Sequence, residues 1–298
     1  MVLFILACYA PPIFADNLIV LSRNLETYQK VARQITSDLE SPSLTVDLSQ
    51  LSNQRFKLST FENVIAVGSK AGDILFNLLP AEQNLYLTFL PKQTYQALLK
   101  KYKGHQRIRN NTVTAVFLDQ PFNRQLKLAK LLIPDAGTIA TALGPTSKYI
   151  LQDIQTAAGE EKFQLRHETL LETDNPIHKL QTLIEGSDFF LAVADKSVFN
   201  RSTAKWILYI SFRQRIPLIG FSKKYVDAGA LAAVYSSPED IGRHAAEIIQ
   251  QASNKTTKIS GYYPRYFSIA LNPTAANSLR IAVPSTEELH LQLLEMEK

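Results

Sequence analysis

Cysteine is all but missing from this chain of 298 residues: the only one is Cys8. Cleavage of the first fifteen residues would leave a protein with no cysteine, which excludes disulfides and thiol chemistry. The five histidines (His105, His167, His178, His244 and His290) lie far apart without paired metal-ligand spacing, so neither a metal nor another cofactor is expected. Also lacking are a Gly-x-Ser-x-Gly elbow and a Gly-rich phosphate loop. These gaps lower the case for an enzyme, although separated residues can still converge in space. No run is long and apolar enough for a transmembrane helix: the uncharged stretch Val2 to Ala15 is short and broken by Pro11-Pro12.

That stretch has a meaning of its own. It ends Ile13-Phe14-Ala15 before Asp16-Asn17, which resembles the apolar region and small-residue cut site of a secretory leader without its basic start. Ile5-Leu6-Ala7-Cys8 resembles a lipoprotein-processing box, with a bulky Leu6 where a small residue is usual. Cleavage near Ala15 is the first expectation and a lipid-anchored Cys8 the second. Either way the chain is expected in the periplasm or another extracytoplasmic space. The net charge of +5 is spread along the chain. Its densest basic stretch, Lys92 to Arg109, holds Tyr95, Tyr102 and His105 but no recognition-helix, zinc or nucleotide signature. A solvated helix and loop is expected there, and no nucleic-acid partner.

From Asn17 onward strands and helices alternate. Strands are expected at Leu18–Leu21, Leu44–Leu48, Val64–Val67, Leu85–Leu90 and Thr112–Leu118. A second set follows at Thr138–Leu143, Gln164–Leu170, Phe189–Ala194, Pro217–Phe221 and Leu231–Tyr235. The near-continuous apolar runs of Thr112–Leu118 and Thr138–Leu143 suit strands buried on both faces of a parallel sheet. The βαβ alternation predicts α/β architecture: two Rossmann-like lobes, each a parallel sheet flanked by helices. Ser237-Pro238-Glu239-Asp240 and Asn272-Pro273 carry helix-start signals. No flexible linker separates the halves. Short crossings such as Asp119-Gln120-Pro121 suit a hinge.

Several segments resemble the family of ABC-transporter substrate-binding proteins related to tryptophan/tyrosine-type binding components. They are Asp119-Gln120-Pro121 with Arg124-Gln125-Leu126, and Leu131 through Ala136. Ala194-Asp195-Lys196-Ser197-Val198, Ile216 through Ser222, Val226 through Ala230, Asp240-Ile241-Gly242 with Ala245-Ala246, and Leu271-Asn272 with Ala275-Ala276 and Leu279 follow. The resemblance covers residues 110 to 285 well and the first lobe loosely. Where many relatives carry Asp-Pro-Val after the fourth strand, this chain has Pro91-Lys92-Gln93. The family implies a type I periplasmic-binding fold with a three-segment hinge and a ligand held between lobes. On that analogy the chain divides into a leader at 1–15, one lobe of 16–119 plus 237–264, a second of 120–236 plus 265–288, and a tail at 289–298.

In open α/β sheets ligands sit outside the carboxyl ends of strands. The candidate contacts are therefore Ser22, Ser69, Lys70, Thr146, Ser147, Asp195, Ser222, Tyr225 and Tyr235. Helix N-termini at Ser69-Lys70 and Thr146-Ser147 suit an anion, with plain helix capping as the equal alternative. Asp195 suits a ligand ammonium or hydroxyl, or alternatively a helix cap or hinge salt bridge. Ser222, Tyr225 and Tyr235 offer polar and stacking surfaces; an aromatic at a strand end such as Tyr235 is alternatively a core residue, whereas Tyr225 is placed in a polar loop. Asp119, Gln120, Pro121 and Ser236 are expected as hinge residues, and Arg23 as a surface residue.

The expected function is the extracytoplasmic capture of a small solute, an amino acid or similar, by a monomer that closes on it and delivers it to an ABC permease in the inner membrane. A regulatory protein of the same fold, sensing a ligand or a partner without transport, is the alternative.

Overall fold

The computed structural model describes residues 15–53, 57–145, 147–171, 174–195, 198, 201–252 and 260–297, without the side chains of 53, 201 and 202. The expected leader with Cys8, together with Thr146, lies outside them, apart from Ala15. Twelve strands run in chain order among the described residues: β1 (Asn17–Leu21), β2 (Ser43–Asp47), β3 (Asn63–Val67), β4 (Asn84–Leu90), β5 (Val113–Phe117) and β6 (Thr138–Leu143), then β7 (Gln164–Thr169), β8 (Phe189–Leu191), β9 (Leu218–Gly220), β10 (Ala232–Tyr235), β11 (Ser260–Tyr262) and β12 (Ser268–Leu271). They form two six-stranded sheets, and the chain divides into two units. One comprises Met1–Leu118 with Pro238–Arg265, the other Asp119–Ser237 with Tyr266–Lys298.

In the first unit the order is β11-β5-β4-β3-β1-β2, every neighbour parallel. Successive strand residues point to opposite faces, so a sheet covered on both sides needs apolar residues at every position. Leu18, Val20, Val64 and Ala66 enter one core, whereas Ile19, Leu21, Ile65 and Val67 enter the other. The second core is closed by two helices, Glu26–Asp38 through Val31, Ala32 and Ile35, and Pro238–Ala252 through Ile241, Ala245, Ala246 and Ile249. Their approach is close. A Cβ on Gly242 would come within 2.8 Å of the Val31 carbonyl oxygen.

The second unit orders its strands β12-β10-β9-β8-β6-β7. The same alternation holds, with Ile139, Leu143, Phe189 and Leu191 on one side and Ala140, Ala142, Phe190 and Ala192 on the other. Three features depart from expectation. Strand β12 runs antiparallel to β10, so this sheet is parallel apart from its edge. Strand β11 has no forerunner in the sequence reading, because it is three residues long with glycine at its centre. Residues 289–298, expected as a tail, mostly belong to the helix Thr286–Met296, with Leu289 and Leu293 fully buried in the core. Its leucines four residues apart share one face, and the Ser285 hydroxyl caps it by accepting the Glu288 N–H at 3.1 Å.

Candidate functional site

In the second unit the carboxyl ends of β10, β9, β8 and β6 stand side by side, and the sequence candidates follow each in turn. After β6 the turn closes on itself. The Gly144 N–H is shared between the Ser147 hydroxyl at 3.0 Å and Asp195 Oδ2 at 3.2 Å. Ser147 is buried and Asp195 is 3 % exposed. Asp195 comes four residues beyond β8, at the end of the apolar segment Ala192-Val193-Ala194. The half-exposed Tyr149 phenol is held well above its ordinary ionisation range, first by partial burial and then by the negative charges of Asp119, Asp195 and Asp153. This edge therefore carries a negative field, and a cationic group would be stabilised in it.

After β9, Ser222 is partly exposed at the N-cap of the short helix Lys223–Asp227, and its side chain makes no capping bond. Tyr225 requires correction. It lies in that helix rather than in a polar loop, and its ring is buried against Phe221 at 5.1 Å between centroids. Burial pushes its phenol up. Tyr235, the last residue of β10, is partly buried against the same core.

Residues 120, 236 and 266 stand where the chain enters or leaves this unit, and one hydrogen-bond chain joins them. Gln120 Nε2 donates to Ser236 Oγ at 2.7 Å, and Ser236 Oγ donates to the Tyr266 carbonyl. Gln120 Oε1 accepts from Arg124 Nη1 at 2.7 Å. The Arg124 guanidinium also forks onto the Glu297 carboxylate and lies 4.2 Å from the Phe267 ring centroid. Asp119 is partly exposed beside this chain, and Pro121 occupies the N-cap of the Phe122–Leu132 helix. Sequence reading had no signal for Arg124 as an organiser, since its partner Glu297 lies 173 positions away.

In the first unit Ser22 is already employed: its hydroxyl accepts the Ala71 N–H at 2.9 Å, capping the neighbouring Ser69–Leu78 helix. Gly68 sits at φ +90°, and a Cβ there would meet Ser22 Oγ at 2.7 Å and Tyr28 Cζ at 3.2 Å. Ser69 is partly exposed and Lys70 exposed in the first helical turn, and Arg23 is exposed as expected. The sequence missed an aromatic corner on this edge. Phe89 adopts φ +56° where the register of β4 on β5 shifts, and its ring meets Tyr28 edge-on at 5.7 Å. A bulky residue in that region is strained. The neighbouring Thr88 hydroxyl is buried and makes no hydrogen bond among the described residues. The basic stretch is not wholly solvated either, because Arg107 is fully buried.

Among the described residues no cluster of three or more His, Cys, Asp or Glu side chains is placed to hold a metal, and no helix is long and apolar enough to cross a membrane. Compared with known proteins, residues 103–290 match the family of ABC transporter substrate binding proteins. No curated protein matches the chain significantly. Among solved structures, the ligand-free, open form of a substrate binding protein with adhesive properties from Clostridium difficile superposes with a TM-score of 0.73 at 15 % identity, covering 92 % of this chain and 97 % of its own. An ABC domain from Streptococcus pneumonia in complex with L-Trp gives 0.57 at 14 % identity, covering 92 % and 97 %. A conserved domain protein from Vibrio cholerae gives 0.58 at 15 % identity, covering 93 % and 97 %. At such identities the likeness shows a shared fold.

Proposed function

Because the chain belongs to the family of ABC transporter substrate binding proteins, we propose that it captures a small solute outside the cytoplasm and passes it to an ABC permease in the inner membrane. It acts as a monomer, without cofactor or covalent step. One observation supports this reading above the others: Ser147, Asp195 and Ser222 follow the carboxyl ends of three adjacent strands and Tyr235 ends a fourth, where ligands of open α/β sheets bind. The negative field at Tyr149 favours a solute with an ammonium group, an amino acid or a close relative, seated on Asp195. Ser69, Lys70 and the Tyr28–Phe89 corner supply contacts from the first unit. Ser22, Tyr225 and Thr146 complete the candidate set, Ser22 and Tyr225 as supports. Solute binding shifts a conformational equilibrium toward the state that holds it better, with Asp119, Gln120, Pro121 and Ser236 absorbing the change. Export follows from a cleaved leader or a lipid-anchored Cys8.

Thermal denaturation with a panel of amino acids, L-tryptophan included, sugars and small carboxylates tests this reading. A solute at 100 times its dissociation constant adds about 2.7 kcal/mol of stability, so at least one amino acid is expected to raise the midpoint. Asp195→Asn keeps an acceptor for the Gly144 N–H and should preserve the ligand-free midpoint while weakening that solute's effect about tenfold or more. A panel that leaves the midpoint unmoved, while a purified protein partner raises it, would replace transport by partner sensing.

A further inference from the structure

The helix Arg201–Gln214 carries two apolar faces, of which burial accounts for one. Ile207 and Ile210 enter the second unit's core, and Thr203 and Ser211 are buried with them. On a helix of 3.6 residues per turn, Lys205, Trp206, Tyr209, Phe212 and Arg213 share the opposite arc, about 120° wide. The three aromatics there are 41 %, 51 % and 62 % exposed in that order. Trp206 meets Tyr209 edge-on at 5.8 Å, and the Arg213 guanidinium lies 5.9 Å from the Tyr209 ring centroid. Lys205, Arg213 and the following Arg215 are exposed around this strip. In the sequence from 196 to 226 there are four lysines and three arginines, and no aspartate or glutamate.

We propose that this face docks on an anionic phospholipid surface. Trp206, Tyr209 and Phe212 seat at the boundary between headgroups and acyl chains, and Lys205, Arg213 and Arg215 meet the lipid phosphates. Tryptophan and tyrosine favour that boundary because each ring has an apolar body and a polar edge. Every basic residue held close to an anionic leaflet adds attraction. The charge pattern selects this occupant. A second copy seated on the same face would set basic residues against basic residues.

Trp206 is the only tryptophan, so intrinsic emission reports on this face alone. The full chain is titrated with vesicles of phosphatidylglycerol mixed with phosphatidylcholine, and with pure phosphatidylcholine. The mixed vesicles are expected to shift emission to the blue, half-saturating at roughly tenfold or more lower lipid than the neutral ones and less readily in high salt. The double variant Tyr209→Ser/Phe212→Ser keeps the reporter and should lose the shift at an unchanged melting midpoint. An unmoved emission overturns the proposal, even if the protein sediments with the vesicles through another segment. So does a double variant that shifts like the wild type. A blue shift that grows with protein concentration in the absence of lipid would assign the face to self-association. An equal shift with soluble polyglutamate would assign it to an acidic protein.

Discussion

Arg107 shows what one buried cation does for a loop. Its guanidinium donates to the carbonyls of Leu79, Pro80 and Gln83 and to the Thr112 hydroxyl, so a whole turn of backbone acceptors depends on it. Burial lowers its affinity for the proton to a value of about 10, still far above neutrality. Arg107→Met should therefore cost about 2–4 kcal/mol, read as a lower denaturant midpoint, because the carbonyls stay buried without a donor. His244 carries the opposite charge logic. Burial first, and then the neighbouring Arg265 charge, hold its imidazole neutral below the ordinary value of 6.5, while Nδ1 accepts the Arg265 N–H at 3.3 Å. The unfolded chain takes up the proton before the folded one does. Stability present above pH 6.5 is thus lost as the pH falls toward the lowered folded value. Melting curves should show a smaller drop between pH 7 and pH 5 for His244→Gln than for the wild type.

Among elements, the Gly242 contact sets the sharpest test. Gly242→Ala places a methyl against the Val31 carbonyl and the Gln34 side chain, so the two helices must part. A loss of about 1–3 kcal/mol is expected, with solute binding by the second unit's edge unaffected. The sequence disclosed the central parallel strands well, because burial on both faces leaves a nearly unbroken apolar run in them, whereas the edge strand β7, Gln164–Thr169, is largely polar and has no buried residue. Thr138–Leu143 was legible to the residue. Strand β11 was not, since pairing with β5 rather than its own composition makes it a strand. Asp195, Ser147 and Ser222 could be read as strand-end residues. The Tyr28–Phe89 corner could not, because it depends on a left-handed residue inside an apolar run. Nor did the polar neighbours of Tyr225 disclose that it turns inward.

On the scale of the whole molecule, neither unit is a contiguous piece of chain. The Glu26–Asp38 helix waits for Pro238–Ala252 to cover it, and β5 waits for β11. A fragment of residues 16–237 should therefore leave Val31 and Ile35 open to water. It is expected to bind a hydrophobic dye strongly and to melt without a sharp transition, and a cooperative transition equal to that of the full chain would refute this. The C-terminal helix matters likewise, since it brings Leu289, Leu293 and the Glu297 partner of Arg124 to the second unit. Synthesis runs from the first residue to the last, so the opening two-fifths of the polypeptide lacks its closing helix and edge strand until most of the rest has left the ribosome.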